Sequence, residues 1–351
     1  MTIEEILRLA KEIDASDIHI ASGSPLMFRI NGRLVPKEEL IKPADIEEIL
    51  KDIMSKEQLK DLENMGEVDF VFSVPGFSRV RVNAFSQCGT YAISLRILSC
   101  EVPTPESLCV PASFVELTNR KKGLILVTGT AGSGKSTTLA SLIDVIAERD
   151  YKNIITIEDS IEYLHSRKKS IVSQREIGLD TENYASGIRS ALRQDPDVIV
   201  VGEMQDVDTI AMALAAAETG HLVLATLHTG NTTDALTRIV EVFPPHQQQQ
   251  IRIQLASVLI GVVAQQLLPR FDVRGRIAAY EVLIANQSVK NLIREDKNYQ
   301  IPGIIASSRK EGMQSMDEAI LEIYMRSQIT MDTAISYAHD SERMEQRVRI
   351  F

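Results

Sequence analysis

At 351 residues, with 44% hydrophobic and 25% charged side chains, the chain is long enough for two domains of roughly 100 to 200 residues each and too apolar to be disordered. A formal net charge of -10 argues against a surface devoted to nucleic acid, because neutralising phosphates takes a clustered basic face. Three cysteines, Cys88, Cys100 and Cys109, without C-x-x-C spacing give neither a disulfide framework nor a four-thiolate zinc site, and fit a reducing, cytoplasmic setting.

The first elements in chain order read as α+β. Ile3, Ile6, Leu7, Leu9, Ala10 and Ile13 recur at helical spacing, with charges between them instead of the apolar core of an export signal. Ile18 and Ile20 open an alternating strand, and Asn31-Gly32 sits between two further strands as a two-residue hairpin turn. A helix over 43–54, strands over 68–74, 78–85 and 91–97, and a turn at Pro75-Gly76 complete a small antiparallel sheet with helices on it. This first domain is expected to span residues 1–100, ending near Ser99. Pro103, Pro105 and Pro111 disfavour helix and stiffen residues 101–112, which read as the linker.

Beyond the linker, apolar strands alternate with helices. Strands are expected over 124–128, 154–157, 198–201 and 222–226, with helices starting at Ser136, Tyr184 and Thr209. That rhythm predicts βαβ units and a doubly wound, mostly parallel sheet over 113–270. From Pro244 the pattern reads as helical, through 247–268, 288–294 and 333–339, so that 271–351 is expected to be a helical segment. The apolar run 255–268 is shorter than the about 20 residues a membrane span needs and contains Gln265 and Gln266. Any membrane association is therefore expected to run through a partner.

Three motifs carry chemistry. Gly129-Thr130-Ala131-Gly132-Ser133-Gly134-Lys135-Ser136, followed by Thr137, fits G-x-x-x-x-G-K-[ST] between a strand and a helix, which is the context that makes it a phosphate-binding loop. Its backbone amides and helix start face phosphate oxygens, Lys135 neutralises charge toward the β and γ groups, and Ser136 offers a hydroxyl to Mg²⁺, implying ATP and Mg²⁺ as ligands. The strand 198–201 delivers Glu203 at its C-terminal end, where a carboxylate can orient or deprotonate the attacking water or act through the metal ion. Asp206 reads as the cap of the helix that follows. A third strand runs into Glu158, Asp159 and Glu162, a set whose chemical ranking the residues alone leave open. His221 and His228 bracket the strand 222–227 at opposite ends, too far apart to share a metal; His228 lies at the phosphate edge, placed to sense the γ-phosphate.

In order, Ala15-Ser16-Asp17-Ile18-His19, Arg79-Val80-Arg81-Val82-Asn83-Ala84-Phe85, the phosphate loop, Ile157-Glu158-Asp159 to Glu162, Val201-Gly202-Glu203-Met204 and Glu218-Thr219-Gly220-His221 to His228-Thr229 resemble the type IV pilus retraction ATPases of the PilT family, within the secretion ATPase superfamily. The resemblance covers almost the whole chain. It implies a PAS-like N-terminal domain, a RecA-like ATPase domain and a homo-hexameric ring with ATP between subunits. It places the family's Asp-box glutamate on Glu162 and its Walker-B glutamate on Glu203, with Glu162 joining Ser136 and Glu203 around Mg²⁺, and it sets Arg81 and Arg96 where the superfamily reaches a neighbour's phosphates. The family pattern is broken at Ser160, where proline is usual, which loosens a turn, and at Gln205, where arginine is usual, which removes a charge beside the site.

The implied partners are an inner-membrane pilus platform protein and a paralogous retraction ATPase, with no nucleic acid, at the cytoplasmic face of the membrane. The absence of a tetracysteine insertion and of a long extra N-terminal region, together with 285–297 and Gly312-Met313-Gln314-Ser315-Met316-Asp317, resembles retraction motors. The readings set beside this are a pilus assembly or type II secretion ATPase, and a regulatory nucleotide-binding paralogue with weak turnover.

Overall fold

The computed structural model describes residues 2–13, 15–30, 33–74, 78–97, 101–273 and 275–350. Two compact units divide it: Met1–Glu101 with Glu162–Leu164, and Val102–Ile161 with His165–Phe351. The expected turns at Asn31-Gly32 and Pro75-Gly76, the boundary at Ser99, and Cys100 lie outside the described residues. Among the described residues no helix is long and apolar enough to cross a membrane.

In the first unit six antiparallel strands stand in the order Arg33–Leu40, Pro25–Ile30, Asp17–Ala21, Thr90–Ile97, Ser78–Gln87, Glu67–Val74. Alternation decides which face is covered: Ile18, Ile20, Phe28, Val80, Val82, Ile93 and Leu95 are buried in one cluster with Ile6, Leu7, Ile46 and Leu50. Those last four come from the helices Ile3–Glu12 and Pro43–Ile53. The opposite parity puts polar residues on the other face, and the register aligns Arg29, Asp17, Arg96 and Arg81 in one row across four neighbouring strands. A helix absent from the sequence reading, Lys56–Met65, starts at a Ser55/Gln58 capping box and ends at Gly66 in the left-handed region. Its low apolar content hid it, although the capping pair was a readable signal.

The sheet of the second unit runs in the order Arg276–Ile284, Leu259–Pro269, Gly123–Thr128, Leu222–Leu227, Val198–Val201, Asn153–Glu158, Ile171–Glu176. All neighbours are parallel except the first pair, so the mostly parallel α/β architecture is as expected. Leu124 and Leu126 join the core on one face, Ile125 and Val127 that on the other. Coverage on both faces is why this strand is a continuous apolar run.

The same physics overturns the helical reading after Pro244. The helix Pro245–Val258 ends early, and Leu259–Pro269 is a strand beside Gly123–Thr128. Its Val262 and Val263 enter opposite cores, so the run shows no period of two and looks like a buried helix. Arg276–Ile284, placed by the sequence in a helical segment, pairs antiparallel with it from Gly261–Ile284 to Pro269–Arg276. The proline-rich segment also packs: Val110 is buried, and the Tyr280 hydroxyl donates to the Leu108 carbonyl at 3.0 Å.

Candidate functional site

The C-terminal ends of the parallel strands in the second unit gather the loops that carry the motifs. Gly123–Thr128 leads through the phosphate loop into the helix Lys135–Arg149. Thr130, Ala131, Gly132 and Ser136 are exposed at its rim, Gly134 and Thr137 are half-buried, and Gly129, Ser133 and Lys135 are buried. At Gly129 a side chain is excluded by close approach: a Cβ there would lie 2.4 Å from Ser133 Oγ and 2.5 Å from the Gln265 carbonyl. Ser133 Oγ itself is buried with no hydrogen-bond partner among the described residues, the kind of orphaned polar atom that a bound group in the loop would satisfy.

Lys135 Nζ donates to the carbonyls of Gly129 at 2.8 Å and Thr130 at 3.0 Å, and lies 3.3 Å from His228 Nδ1. An ammonium has only donors, so Nδ1 is the acceptor and the ring is the neutral tautomer with its proton on Nε2. That Nε2 stands 2.9 Å from Glu203 Oε1 and donates to it. Lys135, His228 and Glu203 thus form one hydrogen-bonded line, drawn from three strand ends that the parallel register brings side by side. The line is braced from below. The Thr128 hydroxyl accepts the Thr229 amide at 3.0 Å, Met204 N–H donates to the Thr226 carbonyl at 3.0 Å, and the Thr226 hydroxyl donates to the Gly202 carbonyl.

Gln205 Nε2 donates to the same Glu203 oxygen that faces His228. A neutral amide therefore occupies the place beside Glu203 where the sequence resemblance marks a missing arginine. Asp206 caps the helix Val207–Glu218, accepting from Thr209 N–H at 2.8 Å and from its hydroxyl at 2.7 Å. Its burial works against ionisation, but these donors prevail and hold the carboxyl below its ordinary range. Glu158 accepts from the Thr156 hydroxyl at 2.6 Å and Gln174 at 3.2 Å, while Asp159 is exposed. His221 lies at the other end of its strand with Nδ1 2.9 Å from the Ala216 carbonyl, closing the preceding helix.

Glu162, Arg81 and Arg96 belong to the first unit. Arg96 Nε donates to Asp17 Oδ1 at 2.8 Å, with Asp17 buried and the Arg96 side chain 68% exposed. The terminal nitrogens of Arg96 have no partner among the described residues, so the guanidinium is held by its inner nitrogen with its fork outward. Burial pushes the Asp17 carboxyl up, but the bonds from Arg96 and Ser16 outweigh it and the net shift is downward. Arg81 stands directly opposite Arg96 in the adjacent strand.

Sequence reasoning passed over Gln265 except as a break in an apolar run. It is buried, it accepts from the Thr138 hydroxyl at 2.7 Å, and its backbone abuts Gly129, which makes it the floor of the phosphate loop. Gln265→Leu removes that acceptor, leaving the Thr138 hydroxyl its bond with Tyr280, and is expected to lower stability by about 0.5 to 1.5 kcal/mol, read as a fall in the denaturant midpoint with unchanged slope. An unchanged midpoint would show that the loop does not depend on this floor.

The chain matches the family model described as Type II/IV secretion system protein over residues 1–336. It is 41% identical over 339 residues to the type IV pilus retraction ATPase PilT of Pseudomonas aeruginosa, covering 95% of this chain and 97% of that protein. To the type IV pilus ATPase PilU of the same organism it is 36% identical over 351 residues, covering 100% and 92%. The crystal structure of the pilus retraction motor PilT with bound ADP superposes with a TM-score of 0.92 at 45% identity, covering 99% of both chains.

Proposed function

Since the chain belongs to the family of type II/IV secretion system proteins, we propose that it is the ATPase motor of type IV pilus retraction, working as a hexameric ring. The observation that carries the chemistry is the line Lys135, His228, Glu203 at the rim of a phosphate loop. The relatives' pilus retraction and twitching motility support the biological role. Hydrolysis of ATP to ADP and phosphate demands positioning and charge neutralisation more than covalent chemistry.

The loop amides from Gly129 to Thr137 cradle the phosphates, and Lys135 exchanges its own loop carbonyls for β and γ oxygens. The donor set fits Mg²⁺, a hard cation that takes oxygen ligands: the Ser136 hydroxyl with Glu203, partly through water, would hold it, and it would supply charge neutralisation on the phosphates. Glu203 orients the attacking water and takes its proton. His228 donates to Glu203 on one side and accepts from Lys135 on the other. Movement of Lys135 toward a γ-phosphate therefore removes the Nδ1 donor and reports nucleotide occupancy to the carboxylate. Arg81 or Arg96 completes the site of the neighbouring subunit, Asp17 anchoring Arg96. The partners are further copies of the chain, an inner-membrane platform protein and a paralogous retraction ATPase, at the cytoplasmic side of the membrane.

Two experiments test this reading. Loss of the gene in piliated cells is expected to leave them hyperpiliated and non-motile; bald cells would favour an assembly motor instead. In vitro, uniform Arg96→Ala rings are expected to bind ATP and hydrolyse it roughly 10³-fold or more slowly. Mixing them with Lys135→Ala subunits should restore some sites, because an intact loop on one protein then meets an intact arginine on the other. A mixture that exchanges subunits yet stays at the rate of its inactive parents rejects action across the interface, and the same design applied to Arg81 decides between the two.

A further inference from the structure

Tyr184 lies outside the motifs, in the first turn of the helix Tyr184–Ala191, whose start is fixed by the Asn183 side chain accepting the Ser186 amide at 2.9 Å. From there the ring reaches under the strand ends. A Cβ built on Gly202 would lie 2.9 Å from the Tyr184 hydroxyl, 3.2 Å from Glu158 Cα and 3.2 Å from the Ile157 carbonyl. The hydroxyl thus fills the notch that the missing side chain leaves. Gly202 is also pinned from its other groups, its N–H donating to the Ile157 carbonyl at 2.7 Å and its carbonyl accepting from Thr226. The next residue is Glu203.

The hydroxyl oxygen accepts the Asp159 backbone amide and feels the negative charges of Asp159, Glu203 and Glu158. Burial first, then these negative charges, keep the phenol protonated far above neutral pH.

We propose that Tyr184 is a positioning residue for hydrolysis: its hydroxyl, seated in the Gly202 notch, ties the strand end bearing Glu158 and Asp159 to the one bearing Glu203 and holds the Glu203 carboxylate in register for the attacking water. The proposal rests on the reading of Glu203 as the residue that works on that water. A carboxylate displaced by a fraction of an ångström loses its alignment while the phosphate loop, formed by other strands, still binds nucleotide.

The test uses full-length rings carrying Tyr184→Phe, Gly202→Ala and both together. Tyr184→Phe is expected to lower kcat roughly 3- to 10-fold, the worth of one hydrogen bond, with ATP affinity and Tm close to wild type. Gly202→Ala is expected to cost more, because the methyl group meets the hydroxyl, and the double variant should recover part of that loss by removing the oxygen. A wild-type kcat in Tyr184→Phe overturns the proposal, as does a lowered Tm with unchanged turnover per folded ring or a double variant no better than Gly202→Ala alone. Retained turnover in Glu203→Gln would instead sink the reading beneath it, whatever Tyr184→Phe does.

Discussion

Lys135→Ala is expected to abolish phosphate release, by at least the roughly 10² to 10³-fold that losing a single preorganised donor to developing charge costs. Two effects add in this variant. The β and γ oxygens lose their cation in a site that excludes part of the solvent, where Lys135 is buried. In addition, the Gly129 and Thr130 carbonyls and His228 Nδ1 lose the ammonium that joins them, so the loop and the histidine are no longer held together without nucleotide. Weakened ATP and ADP binding should therefore accompany the loss of turnover, measured by fluorescence of a labelled nucleotide beside a phosphate-release assay. Turnover at the wild-type rate would reject the phosphate loop as the working site.

Glu203→Gln should separate binding from chemistry. The amide has the size of the carboxylate and its oxygen still accepts from His228 Nε2 and Gln205 Nε2, the two donors seen on Glu203 Oε1, so the strand end stays in place. What disappears is the charge and the basicity, and general-base catalysis is typically worth about 10² to 10⁴-fold. The expected result is near-normal ATP affinity with kcat reduced by that factor. Measuring affinity across a Mg²⁺ titration checks the assignment. If affinity collapses together with turnover and excess Mg²⁺ restores both, Glu203 serves chiefly to hold the metal ion and the proton is taken elsewhere.

Much of this was legible along the chain because the relevant signals are local. The phosphate loop is contiguous, and its glycines, Lys135 and Ser136 sit at spacings that only a strand, a turn and a helix can use together. Asp206 was readable as a cap for the same reason. Strands 124–128, 198–201 and 222–226 announced themselves as short apolar runs between turns, and the structure extends them by at most one residue at an end.

The failures share a cause. Leu259–Pro269 is a strand because the edge of Gly123–Thr128 is there to be paired, Leu259 against Leu124, and no window of sequence contains that edge; Arg276–Ile284 then pairs antiparallel with Leu259–Pro269 itself. A run buried on both faces has lost the alternation that distinguishes strand from helix. The site shows the same division. Sequence determined which residue types stand at the strand ends, and with them the phosphate-binding character of the loop. Tertiary structure decided which of them meet: His228 between Lys135 and Glu203, Gln205 on the carboxylate, Asp17 behind Arg96, Gln265 under the loop and Tyr184 against Gly202. The hydrogen bonds among them join residues up to 127 positions apart, and hydrogen bonds and steric fit at about 3 Å depend on distances that spacing along a chain does not carry.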